Sequence, residues 1–446
     1  MTEVQRDIMQ ALLSWKNEQQ RKPLIIQGAR QIGKTYVMRR FGALYYDHVA
    51  YFNFDASEEL CREFEQTKDP ARLLGILKIY TDQPILPQKT LLIFDEIQQC
   101  NKALNSLKYF CEDAPDYHII AAGSLLGVSL SKGDSFPVGK VAFLQMYPVT
   151  FREFLHQDNV RMFDYIEALE TPDPLPEIVM GQTMESYRRY LVCGGMPSAA
   201  VAMLDTMGTQ EIEKRHNEVL TAYSLDFARH APAVEIPRIA AIWNSIPSQL
   251  AKENRKFLYR VVKTGARARE YEDGLLWLQH AGLVYRVLCS KKPGLPLSAY
   301  DDLSAFKIYL CDVGLLRVMS KLPGDVFWSD NPLFTEFKGA MAENAVLQSL
   351  IAQFEVQPRY WTSNGMAEVD FLLQDGLRLL PIEVKSGSRL TGKSLTVYNN
   401  QYHPQLSLRF SMNNLKLDGR LLNIPLFMAD WTKQLLTGLR SEKSEK

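Results

Sequence analysis

Gly28-Ala29-Arg30-Gln31-Ile32-Gly33-Lys34-Thr35 is the stretch that decides the reading of this chain. It has the spacing G-x-x-x-x-G-K-T, with the β-rich PLIIQ (23–27) before it and the helical YVMRRFG (36–42) after it. A strand, a glycine loop and a helix in that order make a phosphate-binding loop, whereas a bare turn before a core helix would not need this spacing. Glycines let the backbone curl until its N–H groups face phosphate oxygens, and the positive end of the helix adds its field. Gly28, Ala29, Arg30, Gln31, Ile32, Gly33, Lys34 and Thr35 are therefore the expected ATP cradle. Lys34 is expected to bridge the β- and γ-phosphates and the Thr35 hydroxyl to ligate magnesium.

The partner of such a loop comes later in the chain. Leu91-Leu92-Ile93-Phe94 reads as a buried strand that delivers Asp95 and Glu96 at its C-terminal end, where open α/β sheets bind ligands. Asp95 is expected to hold magnesium through water, and Glu96 to polarise the attacking water as general base. An apolar run ending in two acids is weak alone, and gains its meaning from the loop. After the next strand, Ser124 in Ala122-Gly123-Ser124 is a candidate sensor of the γ-phosphate. An arginine often completes such sites. Arg152, Arg188, Arg189 and Arg229 are candidates that the sequence does not separate, and each reads equally as a solvated or salt-bridged helix arginine.

Around this site, LIIQ, VAYFNF, LLIF, HIIAAG and VAFLQM alternate with helical runs, the order of a parallel sheet flanked by helices. After Tyr147 the spacing becomes helical, as in MESYRRYLV and EIEKRHNEVLTAYSLDF, and reads as a lid or bundle. From about Pro237 to Val287, three helical stretches and a short strand suggest a winged helix. Past KKPGLPLS (291–298) come a helix in EFKGAMAENAVLQSLIAQF and strands in RYWTS, AEVDFLL and RLLPIEVK, a small α/β unit. The tail SEKSEK reads as disordered.

The bulk properties limit the classes open to the chain. At 446 residues it is too long for one ordinary domain. No run of about 18 apolar residues is present to span a bilayer, and MTEVQRDIMQALLSW does not read as a signal peptide. A cytoplasmic protein without membrane contact is expected. Six scattered cysteines without CxxC, and seven histidines without HExxH, point away from disulfides and structural zinc. Lys plus Arg equals Asp plus Glu at 51 each, so any contact with nucleic acid must be local.

GARQIGKT, LIFDEIQ, AAGSLLG, YPVTFREFL, YLVCGGMPSA, AENAVLQSL, EVDFLL and IEVKSG together resemble a widespread prokaryotic family of AAA+-like ATPases that join the ATPase core to a C-terminal domain of uncharacterised function. The resemblance covers nearly the whole chain. It implies an α/β fold with a five-stranded ASCE-type ATPase sheet, a helical lid, a winged helix and a nuclease-like end. Family members often carry an arginine after the strand that holds Tyr360-Trp361, where this chain has Thr362. The expected units are an AAA+-like core at 1–155, a lid at 156–235, a winged helix at 236–292 and a restriction-endonuclease-like domain at 293–440.

In that last unit Glu343 lies on a helix, Asp370 on a strand, and Glu383-Val384-Lys385 alternate, so that Glu383 and Lys385 face one side. This is the PD-(D/E)xK pattern, in which carboxylates such as Asp370 and Glu383 hold magnesium, a helix acid such as Glu343 adds a contact, and a lysine such as Lys385 orients water. An internal ion pair fits the same residues, because an unpaired charge on the half-buried PIEV strand would be costly. Lys263, Arg267 and Arg269 enter a helix of the winged-helix stretch and are candidates for DNA contact, with Glu270, Glu272 and Asp273 beside them to offset the charge. Two functions stay open: an ATP-driven switch acting on the C-terminal domain, and an ATP-gated, metal-dependent nuclease or DNA-binding regulator. Either one admits a homo-oligomer or a protein partner.

Overall fold

The computed structural model describes residues 2–123, 137–252, 255–329, 335–363, 367–387 and 392–444. They form two compact units, one of Arg6–Tyr147 with His280–Leu283, the other of Met1–Gln5, Pro148–Gln279 and Val284–Lys446.

The first unit is built on β1 (Leu24–Gln27), β2 (His48–Asn53), β3 (Thr90–Asp95), β4 (His118–Ala122) and β5 (Ala142–Gln145), arranged β2-β3-β4-β1-β5. Every pairing is parallel. β4 lies between β1 and β3, so the loop after β1 and the acids after β3 stand one strand apart. Alternation along β3 divides its labour: Phe94 faces the core while Asp95 faces the opposite side. Phe52, Phe54, Phe64 and Phe110 surround Phe94 edge-on at 5.5–6.3 Å between ring centres. That geometry places positive ring edges against negative faces and adds to the gain from burial.

Helices lead the second unit, among them Phe151–Asp158, Glu177–Cys193, Thr209–His230, Ile236–Leu250 and Ala268–His280. The first of these opens on a capping box. The Thr150 hydroxyl accepts from the Glu153 N–H, and the Glu153 carboxylate accepts from the Thr150 N–H. An eight-stranded mixed sheet follows, built from β6 (Val284–Ser290), β7 (Asp301–Leu310), β8 (Arg359–Thr362), β9 (Glu368–Asp375), β10 (Arg378–Val384), β11 (Ser407–Ser411), β12 (Lys416–Asp418) and β13 (Leu421–Pro425). Its order is β12-β13-β11-β10-β9-β8-β6-β7. The boundary expected at 292/293 falls between β6 and β7, which pair antiparallel, while β6 also pairs with β8. The strand read as the end of a winged helix is thus continuous with the C-terminal sheet. A helix over Thr335–Gln353 brings Glu343 to this sheet, and the last helix, Thr432–Ser444, runs on into the tail expected to be disordered. Once a helix is nucleated, each added residue gains a hydrogen bond, which carries the polar end along.

Candidate functional site

In the first unit the loop after β1 turns through the left-handed region at Gly28 (φ 148°), Gln31 (φ 64°) and Gly33 (φ 91°). Gly28 has no room for a side chain, since a Cβ there would lie 2.3 Å from the Met146 carbonyl oxygen. Gly33 caps the helix Lys34–Tyr45. Lys34 is 7% exposed, and its Nζ donates to the Gly28 and Ala29 carbonyls at 2.9 and 2.7 Å. Burial brings its ammonium down to about pKa 8, against the pull of Glu96 and Asp95, with Arg30 adding to the fall.

Thr35 opens that helix beside the end of β3, and its hydroxyl donates to Asp95 Oδ2 at 2.6 Å. The same oxygen accepts from the Tyr51 hydroxyl at 2.9 Å, while Asp95 Oδ1 accepts from the Glu96 N–H at 3.1 Å. Tyr51 lies opposite Ile93 in the β2–β3 register and so shares the face of Asp95. Arg39 lies 3.8 Å over its ring. Burial first, and then Asp95, pushes the Tyr51 phenol up to about 12, which keeps it a donor at neutral pH. Glu96, half-buried and at φ 50°, accepts from the Gln98 side-chain amide. The loop, Lys34, Thr35, Asp95 and Glu96 are therefore gathered as the sequence predicts, whereas Ser124 lies outside the described residues.

Two residues of this site carry no motif. Tyr51 is one. Arg6, almost wholly buried, donates to the Ile32 carbonyl in the loop at 3.1 Å and to the Tyr147 carbonyl at 2.6 Å, which ties the loop to the exit from β5. A hydroxyl-bearing aromatic on the strand beside the acids was a usable signal for Tyr51; nothing in the N-terminal sequence marks Arg6.

Among the arginines considered for the nucleotide, Arg152 makes two bonds to Glu167 at 2.6 and 3.0 Å, and Arg189 pairs with Asp158. Arg188 faces Glu185 at 3.4 Å.

In the second unit the expected metal carboxylates are divided. Glu343, 2% exposed, accepts from the Tyr309 hydroxyl at 2.9 Å and pairs with Arg255. Burial pushes Glu343 up, but Arg255 and Lys307 more than offset this and hold it below the usual range. Half-buried Asp370 accepts from the Val384 N–H at 2.8 Å, and burial first and then Glu343 push its carboxyl up. Lys307, fully buried on β7, reaches Glu368. Glu383 pairs with Arg409 at 3.0 Å and with Lys385 at 3.3 Å. Glu383 and Lys385 do share a face, as their alternation predicts. Among the described residues no group of three or more His, Cys, Asp or Glu side chains is placed to hold a metal ion. Cations lie against two of the carboxylates expected there, Arg255 on Glu343 and Arg409 with Lys385 on Glu383.

The basic stretch also differs from its sequence reading. Lys263, Arg267 and Arg269 are exposed, with no ion-pair partner among the described residues. Glu272, expected to offset them, turns to Arg286 and to the Tyr259 hydroxyl.

Residues 20–155 match the model of a family described as AAA domain. This part of the chain is similar to an AAA domain, and it holds the glycine loop, Lys34, Thr35, Asp95 and Glu96 described above. Beyond the AAA domain, residues 184–325 match one domain of unknown function (DUF8612), and residues 338–427 another (DUF4143). Among curated proteins no sequence matches the chain. Solved structures similar to it include the Walker-type ATPase PABY2304 of Pyrococcus abyssi, at 16% identity and TM-score 0.43 over 71% of this chain and 96% of that one. Also similar are the Aeropyrum pernix ORC1 protein in complex with DNA (13%, 0.28, over 70% and 90%) and Thermotoga maritima RuvB, a Holliday junction branch migration motor (13%, 0.27, over 65% and 90%). No helix among the described residues is long and apolar enough to cross a membrane.

Proposed function

We propose that the AAA domain binds ATP with magnesium and hydrolyses it, and that turnover serves as a switch on the C-terminal α/β region. The Thr35 hydroxyl on Asp95 Oδ2 at 2.6 Å carries the reading, because it joins the two halves of the motif at one point. The residues fit the group: a bare glycine cradle, one buried ammonium, and a hydroxyl and a carboxylate side by side. Magnesium bound by Thr35 and, through water, by Asp95 would neutralise phosphate charge. Loop N–H groups and Lys34 bind and orient the phosphates. Glu96, at the tip of β3, takes the proton of the attacking water. Tyr51 and the Glu96 N–H keep Asp95 in one rotamer, an acceptor at both oxygens.

Phosphate release from ATP with magnesium tests this for wild type, Lys34→Ala and Glu96→Gln. Wild type is expected to turn over, Lys34→Ala to lose phosphate binding, and Glu96→Gln to bind ATP while losing about 10²–10⁴-fold in rate. No turnover by wild type, or full turnover by Glu96→Gln, would overturn the reading. Duplex or single-stranded DNA in parallel tubes reports whether Lys263, Arg267 and Arg269 recruit a stimulating nucleic acid. Running that DNA on a gel tests the nuclease alternative, for which Lys385 beside Glu383 is the supporting contact.

A further inference from the structure

The carboxyl ends of β10, β11 and β13 lie side by side in the second unit, and these three strands are mutually parallel. Ser386 follows the first, Met412 the second and Leu426 the third, and all three line one cavity of about 160 Å³. Ligands of α/β sheets gather at such strand ends. The cavity walls carry Met184, Met341, Met412, Tyr187, Phe327 and Trp328. Thioethers and aromatic rings are polarisable and flat, and suit a planar heterocycle better than an aliphatic chain. Trp328 is 44% exposed and is tethered through its indole N–H to Glu185 at 2.9 Å, which leaves a face available for stacking.

The charged side chains that line this cavity, Lys338 and Arg188, are both cations. Lys338 lines it with no ion-pair partner among the described residues, and Arg188 has only Glu185, at 3.4 Å on the surface. The Tyr187 hydroxyl belongs to a residue 4% exposed and has no hydrogen-bond partner among the described residues. None of the acidic clusters of this unit lines the cavity.

We infer that this cavity binds a nucleotide, its base between the methionines and the aromatic rings and its phosphate on Lys338 and Arg188. The same chemistry is offered by a free mononucleotide and by one unit of a single strand, where stacking on aromatic rings and contact with a cation work together. This site is separate from the loop at Gly28–Thr35 and does not depend on hydrolysis.

The test is binding of AMP, and of a fluorescent ten-nucleotide oligo-dT, to the full chain as wild type, Lys34→Ala, Lys338→Ala and Ala342→Phe. Lys34→Ala is expected to bind as wild type does, since it alters only the loop. Lys338→Ala, at a half-buried rim position that leaves the packing intact, is expected to bind about tenfold more weakly, a loss of about 1.4 kcal/mol. Ala342→Phe fills the cavity and is expected to abolish binding. AMP that binds and displaces the oligonucleotide identifies the free nucleotide as the better occupant, and oligonucleotide binding alone identifies the strand. Binding of neither ligand to wild type overturns the inference, as does binding lost in Lys34→Ala yet kept in Lys338→Ala. Failure of ATP turnover would leave both results readable.

Discussion

Two sets of carboxylates stand at the sheets of this molecule, one in each unit, and their neighbours differ. Asp95 is surrounded by hydrogen-bond donors that carry no charge: two hydroxyls on Oδ2 and an amide on Oδ1. Glu343 and Glu383 are met by full cations, Arg255 on the first and Arg409 and Lys385 on the second, while Lys307 takes Glu368. A carboxylate held by neutral donors keeps its charge for an incoming cation. One paired with arginine has spent it. The difference teaches that acids alike in sequence are set apart by what the fold places on them, neutral donors on Asp95 and full cations on Glu343 and Glu383.

The largest effect that would break this contrast is at Arg255. Arg255→Ala removes the ion-pair partner of buried Glu343, leaving it the Tyr309 hydroxyl and the field of Lys307, and is expected to cost about 3 kcal/mol, read as a lower urea midpoint for the unit that contains it. Millimolar manganese should restore part of that loss in the variant and none in wild type. If the midpoint does not move, Arg255 is not neutralising the cluster.

A tenfold effect per pH unit is expected at Lys34. Its folded pKa of about 8 lies below the ordinary 10.5, so the ammonium is present in full below pH 8 and lost above it. ATP affinity in wild type should therefore fall as pH rises through 8. In Lys34→Arg, whose guanidinium stays charged, the slope should vanish even if affinity is lower. The same shift makes the free protein gain stability between pH 8 and 10.5, because the unfolded chain then binds more protons.

The smallest effect sharpens the comparison on the other side. Tyr51→Phe removes one neutral donor from Asp95 and should raise the magnesium concentration needed for half-maximal turnover by about threefold, with kcat at saturating magnesium little changed. A drop in kcat with an unaltered magnesium requirement would place Tyr51 outside the positioning of Asp95.

What the sequence made legible follows the distance over which each feature is encoded. The loop from Gly28 to Thr35 and the acids after Phe94 are local spacings, and the fold places them as their spacing demands. The shared face of Glu383 and Lys385 follows from the two-residue period of a strand, which needs no tertiary information. Arg255 lies 88 residues from Glu343, and Lys307 lies 61 from Glu368, so neither pair could be read from spacing. Tyr51 meets Asp95 across 44 residues through the β2–β3 register, which no motif states. The C-terminal acids were thus visible as residues, while the cations that decide their chemistry were not.

Phe94 and Asp95 are adjacent, yet one ends among four other phenylalanines and the other beside Thr35. A strand alternates strictly, so inserting or deleting a single residue between Gln88 and Phe94 would turn the ring outward and the carboxylate inward together. Substitutions can be graded at either position, but a length change there has no mild form. In a set of variants, β3 should tolerate conservative replacement far more readily than any indel, and core stability and nucleotide chemistry should be lost in one step.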